Sequence, residues 1–159
     1  MSSPLIVPAT PADTPAIRTV VDAAYSKWIP LIGRKPMPME ADYEALVAGG
    51  NVWVMTDGAA VVGVLVLVGE QDHFLLENVC VAPERQGQGI GLKLLAFTEE
   101  EARRRGYSEV RLYTNVRFVE NIALYARHGY EETHRGVSEG APGQAGFERV
   151  FMRKTLPRR

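Results

Sequence analysis

The sequence predicts a mixed α/β fold, a mostly antiparallel sheet of about six to seven strands flanked by about four helices. Three patterns carry that expectation. Between Asn51 and Val81, valine-rich apolar runs are separated by short turn signals, the mark of an antiparallel meander. The last of these runs passes through a glycine-rich turn into a long segment of helical periodicity. An alternating run follows it, so a strand–helix–strand unit joins the meander, and a shorter helix and two further strands complete the chain.

The first element is the apolar run Leu5-Ile6-Val7, ended by Pro8. Thr10, Asp13 and Thr14 offer helix caps beside Pro11 and Pro15, either of which suits a first turn. Ile17, Val20, Val21, Ala24 and Trp28 recur at helical spacing, and that helix is expected to end near Pro30. A second helix is expected over Met39–Ala48, stopped by Gly49-Gly50. Strands follow over Asn51–Thr56, Ala59–Val68 and His73–Val81, with Asp57-Gly58 as a hairpin turn. The helix Gly89–Arg105 puts Ile90, Leu94, Leu95, Phe97 and Ala102 on a wide apolar face. Glu99, Glu100 and Glu101 each precede an arginine by four residues, which reads as a solvated face of ion pairs closed by Gly106. The strand Glu109–Thr114, the helix Val119–His128 closed by Gly129, and the strands Tyr130–Arg135 and Phe147–Leu156 come last. Gly136–Gly146, with four glycines and Pro142, reads as a mobile loop.

Length and composition narrow the function classes. The 159 residues fit a single domain spanning 1–159, with 46% hydrophobic and 23% charged residues. A formal net charge of -1 gives no footprint for nucleic acid or an anionic membrane surface. The longest apolar run, Ala59–Val68, is interrupted by Gly63 and is too short to span a bilayer. Cys80 is the single cysteine, which rules out an intrachain disulfide and a cysteine-based metal cluster. With no signal-peptide pattern at the start, a reducing, cytoplasmic setting is expected. The three scattered histidines have no metal-ligand spacing, so no metal is expected.

The most informative stretch is Gln86-Gly87-Gln88-Gly89-Ile90-Gly91, lying between a strand and a helix. Glycine lets a ligand approach the backbone, and the unpaired N–H groups of a helix start suit a phosphate. A Walker loop is excluded, because no glycine-lysine-serine/threonine run exists. The dinucleotide fingerprint fails at its third glycine, which is Leu92. The pattern Gln/Arg-x-x-Gly-x-Gly/Ala matches in full, preceded by Val79-Cys80-Val81-Ala82-Pro83. This stretch resembles the coenzyme A loop of the GNAT superfamily of N-acetyltransferases. A second stretch, Leu124-Tyr125-Ala126-Arg127-His128-Gly129-Tyr130, resembles that family's C-terminal signature. An asparagine seven residues before the tyrosine is frequent in the family, and Phe118 stands there in this chain.

The resemblance implies the GNAT fold and transfer of an acetyl group from acetyl-CoA to a primary amine of a small molecule or peptide. It implies that backbone around Gln86, Gly87, Gln88, Gly89, Ile90 and Gly91 anchors the pyrophosphate, and that the strand Val79, Cys80 and Val81 carries the pantetheine arm where its neighbour splays away. Asn121, one helical turn before Tyr125, takes over the coenzyme contact in place of Phe118. Tyr125 is the candidate general acid for the leaving thiolate, because a neutral tyrosine hydroxyl can donate at pH 7. Glu77 is the best-placed carboxylate for the amine proton, although a plain strand carboxylate would look the same in sequence; His73 and His128 are weaker candidates. The acceptor is expected between the first two helices, with Tyr25, Trp28 and Ile29, and the Gly136–Gly146 loop. Cys80, on a buried strand, is expected to pack rather than react. Many small enzymes of this fold pair, so monomer and homodimer stay open. A catalytically silent acyl-CoA-binding or sensor domain would carry the same loop and stands as the alternative.

Overall fold

The computed structural model describes residues 4–137 and 148–157. Seven strands form one sheet in the order β1-β2-β3-β4-β5-β7-β6. They are β1 (Leu5–Pro8), β2 (Val52–Asp57), β3 (Ala60–Gly69), β4 (Phe74–Val81), β5 (Glu109–Asn115), β6 (Glu131–Val137) and β7 (Glu148–Thr155). Every neighbouring pair is antiparallel except β4 and β5, which the long helix α5 (Ile90–Arg104) joins as a crossover. The other helices are α1 (Thr14–Tyr25), α2 (Ile29–Ile32), α3 (Met37–Glu40), α4 (Tyr43–Ala48) and α6 (Val119–Arg127).

Each face of the sheet is covered by its own apolar layer. On one side Ile17, Val21, Tyr43 and Val47 of α1 and α4 pack on Val52, Val54, Val64 and Val66. On the other, Ile90, Leu94, Leu95 and Ala102 of α5 pack on Met55, Leu65, Leu67 and Leu112. Burying an isoleucine or leucine in this way contributes about 1.5–3 kcal/mol. The start of α5 comes close to β3 because Gly63 has no side chain; a Cβ there would lie 3.0 Å from Leu94 Cδ1. With helices on both faces, the central strands read as continuous valine runs rather than alternating ones.

The most consequential irregularity is on β4. Val66 pairs with Asn78 but Leu67 pairs with Leu76, so Glu77 is an extra residue on that strand. Such a bulge shifts the facing of everything beyond it by one residue. Phe74 and Leu76 point into the α5 layer, whereas Asn78 and Cys80 are turned to the α1 side and Val79 and Val81 to the α5 side. A bulge also bends its strand. Accordingly the parallel ladder with β5 consists of Phe74↔Val110 and Leu75↔Arg111, while β3 stays paired with β4 as far as Val81. Beyond Leu75, β4 and β5 diverge, and the opening between them is the functional feature of the sheet.

The expected elements are present, with four differences. The first helix does not end near Pro30: α1 stops at Tyr25, a 3-10 turn covers Ser26–Trp28, and α2 begins with Pro30 in its first turn, where a missing N–H costs nothing. The expected helix Met39–Ala48 is two pieces, because Asp42 leaves the helical conformation and its carboxylate caps the Ala45 N–H of α4 at 3.0 Å. The acidic and basic run of α5 is more than a solvated face. Glu101 is buried and forks between Arg104 and Arg105 at 2.5 and 2.8 Å, Arg105 lies over the rings of Trp53 and Phe74, and Glu99 reaches Lys154 of β7 at 2.9 Å. These contacts tie the C-terminal half of α5 to the sheet. Finally, most of the expected Gly136–Gly146 loop lies outside the described residues, while Gly136 and Val137 belong to β6.

Candidate active site

Two cavities meet at the opening between β4 and β5. The first, of about 620 Å³, is a groove between the glycine turn and α6, lined by Cys80, Val81, Gln86, Gly87, Gly89 and Gly91 on one side and by Leu124, Arg127 and His128 on the other. The second, of about 440 Å³, lies under α3 and α4 and is lined by Tyr43, Glu77, Asn78, Tyr113, Asn115 and Arg149 among others. Tyr25, Val79, Asn121 and Tyr125 line both.

The groove is built mainly from backbone. Gly87 and Gly89 have φ of 81° and 79°, a left-handed conformation that side chains disfavour. Gly89 is the N-cap of α5 and brings no side-chain cap, so the first-turn N–H groups have no acceptor within the helix. A Cβ at Gly87 or Gly89 would meet nothing within 4 Å, so local packing does not demand glycine there; the backbone angles do, and they leave the helix start bare. Such a loop fits an anionic diphosphate. The side chain of Gln88 is turned aside and accepts a hydrogen bond from Arg85 at 2.9 Å. Arg85 lines the groove and is itself held by Asp57 at 2.8 Å.

Beyond the glycine turn, the strand edge is open. Ala82 N–H donates to Val62 at 2.9 Å, and antiparallel pairing alternates, so Cys80 and Asn78 face β3 with their backbone groups while Val79 and Val81 turn theirs toward the opening. Two contacts agree: the Gln86 amide donates to the Val81 carbonyl at 3.3 Å, and the Tyr25 hydroxyl lies 3.4 Å from the Val79 carbonyl. The backbone of β4 therefore offers an extended edge to a ligand arm.

At the junction, Tyr125 of α6 is buried against Tyr130, ring centroids 5.9 Å apart. Burial pushes its hydroxyl above the usual tyrosine range, with the Cys80 thiol adding to the shift, so its proton is retained through neutral pH. Burial also pushes the Cys80 thiol up to about 12, which leaves it inert as a nucleophile. Glu77, carried by the bulge, lines the second cavity. Desolvation, helped by the negative charge of Glu70, raises its carboxyl above the ordinary value, in the direction a general base needs.

The helical lobe over the second cavity is held by a buried polar chain. Tyr25 donates to Asn78 Oδ1 at 2.5 Å, Asn78 Nδ2 donates to Tyr43 at 3.2 Å, and Tyr43 donates to the Pro38 carbonyl at 2.6 Å. One side chain of β4 thus fixes α1, α3 and α4 relative to the sheet. Asn78 has this role because the bulge turned it to the α1 side.

Of the residues expected to meet the acceptor, Tyr25 lines the second cavity, with its hydroxyl engaged as above. Trp28 lines the groove instead, its ring tilted against Phe118 with centroids 4.5 Å apart, and Ile29 lines neither cavity; Ile32, one turn further along, lines the second. The break at Tyr25 rotates these positions away from the helical spacing that suggested them. Asn121 lines both cavities, and His128 lines the groove. His73 sits beside Asp72 at 2.7 Å and lines neither cavity. Sequence reasoning missed Asn78, Tyr113, Asn115 and Arg149. The available signal was a polar or charged side chain in a strand with both faces covered, where such residues are rarely buried without purpose.

Comparison with known proteins agrees with this architecture. The family profile described as "Acetyltransferase (GNAT) domain" matches residues 48–132. An aminoalkylphosphonate N-acetyltransferase of Salmonella typhimurium is 39% identical over 59 residues, 37% of this chain and 38% of that protein. The match spans 38–42% of the length of this and three other curated relatives. The ribosomal-protein-S18-alanine N-acetyltransferase of Escherichia coli superposes with a TM-score of 0.76 at 18% identity, covering 99% of this chain and 96% of that one. The PaiA N-acetyltransferase of Thermoplasma acidophilum, in complex with coenzyme A, gives 0.75 at 16% identity over 97% and 99%. These structural likenesses establish the shared fold.

Proposed function

The chain belongs to the GNAT acetyltransferase family, and from that premise we propose that it transfers an acetyl group from acetyl-CoA to a primary amine by direct attack in a ternary complex. The observation that carries the reading is the meeting of two cavities at Val79, Asn121 and Tyr125. One cavity has a bare helix start suited to a diphosphate, and the other has a carboxylate suited to an amine. A domain that only bound or sensed an acyl carrier would not need the second cavity. An amine acceptor also accords with the named activity of the Salmonella relative.

Acetyl-CoA supplies an activated acyl thioester. The first-turn amides of α5 and the turn Gln86–Gly91 hold the diphosphate, and the exposed edge of Val79–Val81 aligns the carrier arm. Amides of that edge donate to the thioester oxygen as it gains charge. Glu77, directly or through water, removes the proton that an ammonium acceptor brings. The new carbon–nitrogen bond forms as the carbon–sulfur bond breaks, the protonated hydroxyl of Tyr125 donates to the departing sulfur, and the second proton that the nitrogen loses on becoming an amide passes through water to the tyrosinate and restores the hydroxyl.

The test is coenzyme A release when acetyl-CoA meets a panel of small-molecule and peptide amines, run beside calorimetry with acetyl-CoA alone. Binding with turnover of at least one amine supports the reading. Binding without turnover of any amine supports the sensor alternative, and no binding removes both.

A further inference from the structure

The second cavity contains a buried cation that no carboxylate among the described residues pairs with. Arg149 lies on β7 opposite Asn115, is 4% exposed, and lines this cavity but not the groove. Its guanidinium donates to the Met37 sulfur at 2.9 Å and lies 6.0 Å from the centre of the Tyr113 ring. Its Nε has no hydrogen-bond partner, and among the described residues it forms no ion pair. A thioether is a weak acceptor. A buried guanidinium ordinarily has a carboxylate on it, because removal from water is costly without one.

The carboxylates of the cavity are committed elsewhere or stand apart. Asp42 caps α4, Glu77 sits on the bulge of β4, and Glu40 of α3 lines the cavity without an ion pair to Arg149. Glu77 and Arg149 act on the Tyr113 hydroxyl in opposite senses, so one cavity presents a negative and a positive group around the same ring without pairing them. This is complementary to a molecule with an ammonium at one end and an anion at the other. The carrier's own phosphates do not fill the role, because Arg149 does not line the groove that holds the glycine turn.

We infer that the acceptor is a zwitterionic amine whose oxyacid group, a carboxylate or a phosphonate, is held by Arg149 while its amine is presented near Glu77. The inference deepens the acetyltransfer reading and rests on it for the identity of the ligand as an acceptor. Guanidinium bonds to such groups are bidentate and directional, which fixes the distance from anion to amine and makes chain length a selection rule.

The experiment compares short ω-amino carboxylic acids and ω-aminoalkylphosphonic acids with their uncharged counterparts, the matching ω-amino amides and plain alkylamines. For the wild-type chain, the best anionic amine should exceed its neutral counterpart in kcat/KM by about tenfold to a hundredfold. In Arg149→Met that preference should collapse to near equality, and Arg149→Lys should recover part of it. The carboxylate and phosphonate arms decide between the two anions. Because an unpaired buried charge is removed, Arg149→Met should unfold at the same or a higher temperature, whereas an arginine that merely supports the fold would leave a less stable protein. Calorimetric titration of the same pairs in the presence of coenzyme A is independent of turnover. Tighter binding of the acid, lost in Arg149→Met, sustains the inference even where no acetyl group moves and the acetyltransfer reading fails. Equal binding of acid and amide, binding of neither, or a preference that survives Arg149→Met overturns it, and acetyl transfer to neutral amines alone overturns it while leaving the acetyltransfer reading intact.

Discussion

The two cavities on either side of Tyr125 are built by different means. The groove is made chiefly from consecutive backbone: a strand edge, a glycine turn and the start of α5, all within Val79–Leu92, faced by α6 and by the end of α1 with the turn after it. The second cavity is assembled from residues of α1, α2, α3, α4, β3, β4, β5, α6 and β7, brought together from positions 25 to 149. On the acetyl-transfer reading proposed above, backbone amides recognise what every donor of one class shares, a diphosphate and an extended arm, and side chains at scattered positions recognise what differs between acceptors. On that reading the groove is the constant part of this architecture and the second cavity the part that can be changed without disturbing it.

Substitutions can break or sharpen that division. The largest effect is expected at the junction: Tyr125→Phe should lower kcat by about a hundredfold, read by coenzyme A release, with acetyl-CoA affinity unchanged by calorimetry. Unchanged turnover would remove the hydroxyl from the reaction. Next, Gly87→Ala combined with Gly89→Ala puts side chains on two left-handed residues, at roughly 1–2 kcal/mol each. Acetyl-CoA binding should weaken on the order of a hundredfold, while binding of an acceptor to the second cavity holds. A matching loss on both sides would show that the cavities are not separable.

Glu77→Gln should cost about tenfold at neutral pH. The sign of the pH effect follows from the raised carboxyl. Glu77 becomes charged only above the ordinary glutamate value, so wild-type activity should fall as pH drops through that higher value. The variant should lose this acidic limb, and a limb that persists would assign it to another group. Asn78→Leu leaves the hydroxyls of Tyr25 and Tyr43 without their buried partner, at about 1–3 kcal/mol of stability by urea unfolding. The acceptor KM should rise with acetyl-CoA affinity preserved, and the reverse pattern would place Asn78 in the groove's support.

The smallest effect is expected away from both cavities. Glu101→Gln loosens the fork with Arg104 and Arg105, which hold the Glu101 carboxyl below its usual range. A group with a lowered folded-state pKa contributes stability above its unfolded value and loses it as pH falls through the folded one. The variant should therefore unfold at a slightly lower urea concentration at pH 7, with the difference closing in acid.

The legible part of this chain was the part written in consecutive residues. Strand order through the meander, the crossover helix, the glycine turn and the Tyr125 segment each have a local signature, because turn chemistry, helix periodicity and left-handed backbone are properties of neighbouring residues. So the family and the place of the groove could be read from Val79–Gly91 and Asn121–Tyr130. Local signals misled at Trp28 and Ile29, where helical spacing was extrapolated through a break at Tyr25, and at Met39–Ala48, where a capping aspartate divides one expected helix.

Tertiary structure alone decided the second cavity. Nothing near Glu77 in the chain announces a bulge; it exists because β3 and β4 pair out of step there, and that pairing depends on both strands packing their apolar sides. The same step turns Asn78 to the α1 side, parts β4 from β5, and opens the space that Arg149 reaches from β7. Sequence determines what a segment can do with its own neighbours. Which distant side chains share a cavity, and which charge is left there without a partner, depends on register and on packing between layers, where contact follows space rather than order along the chain.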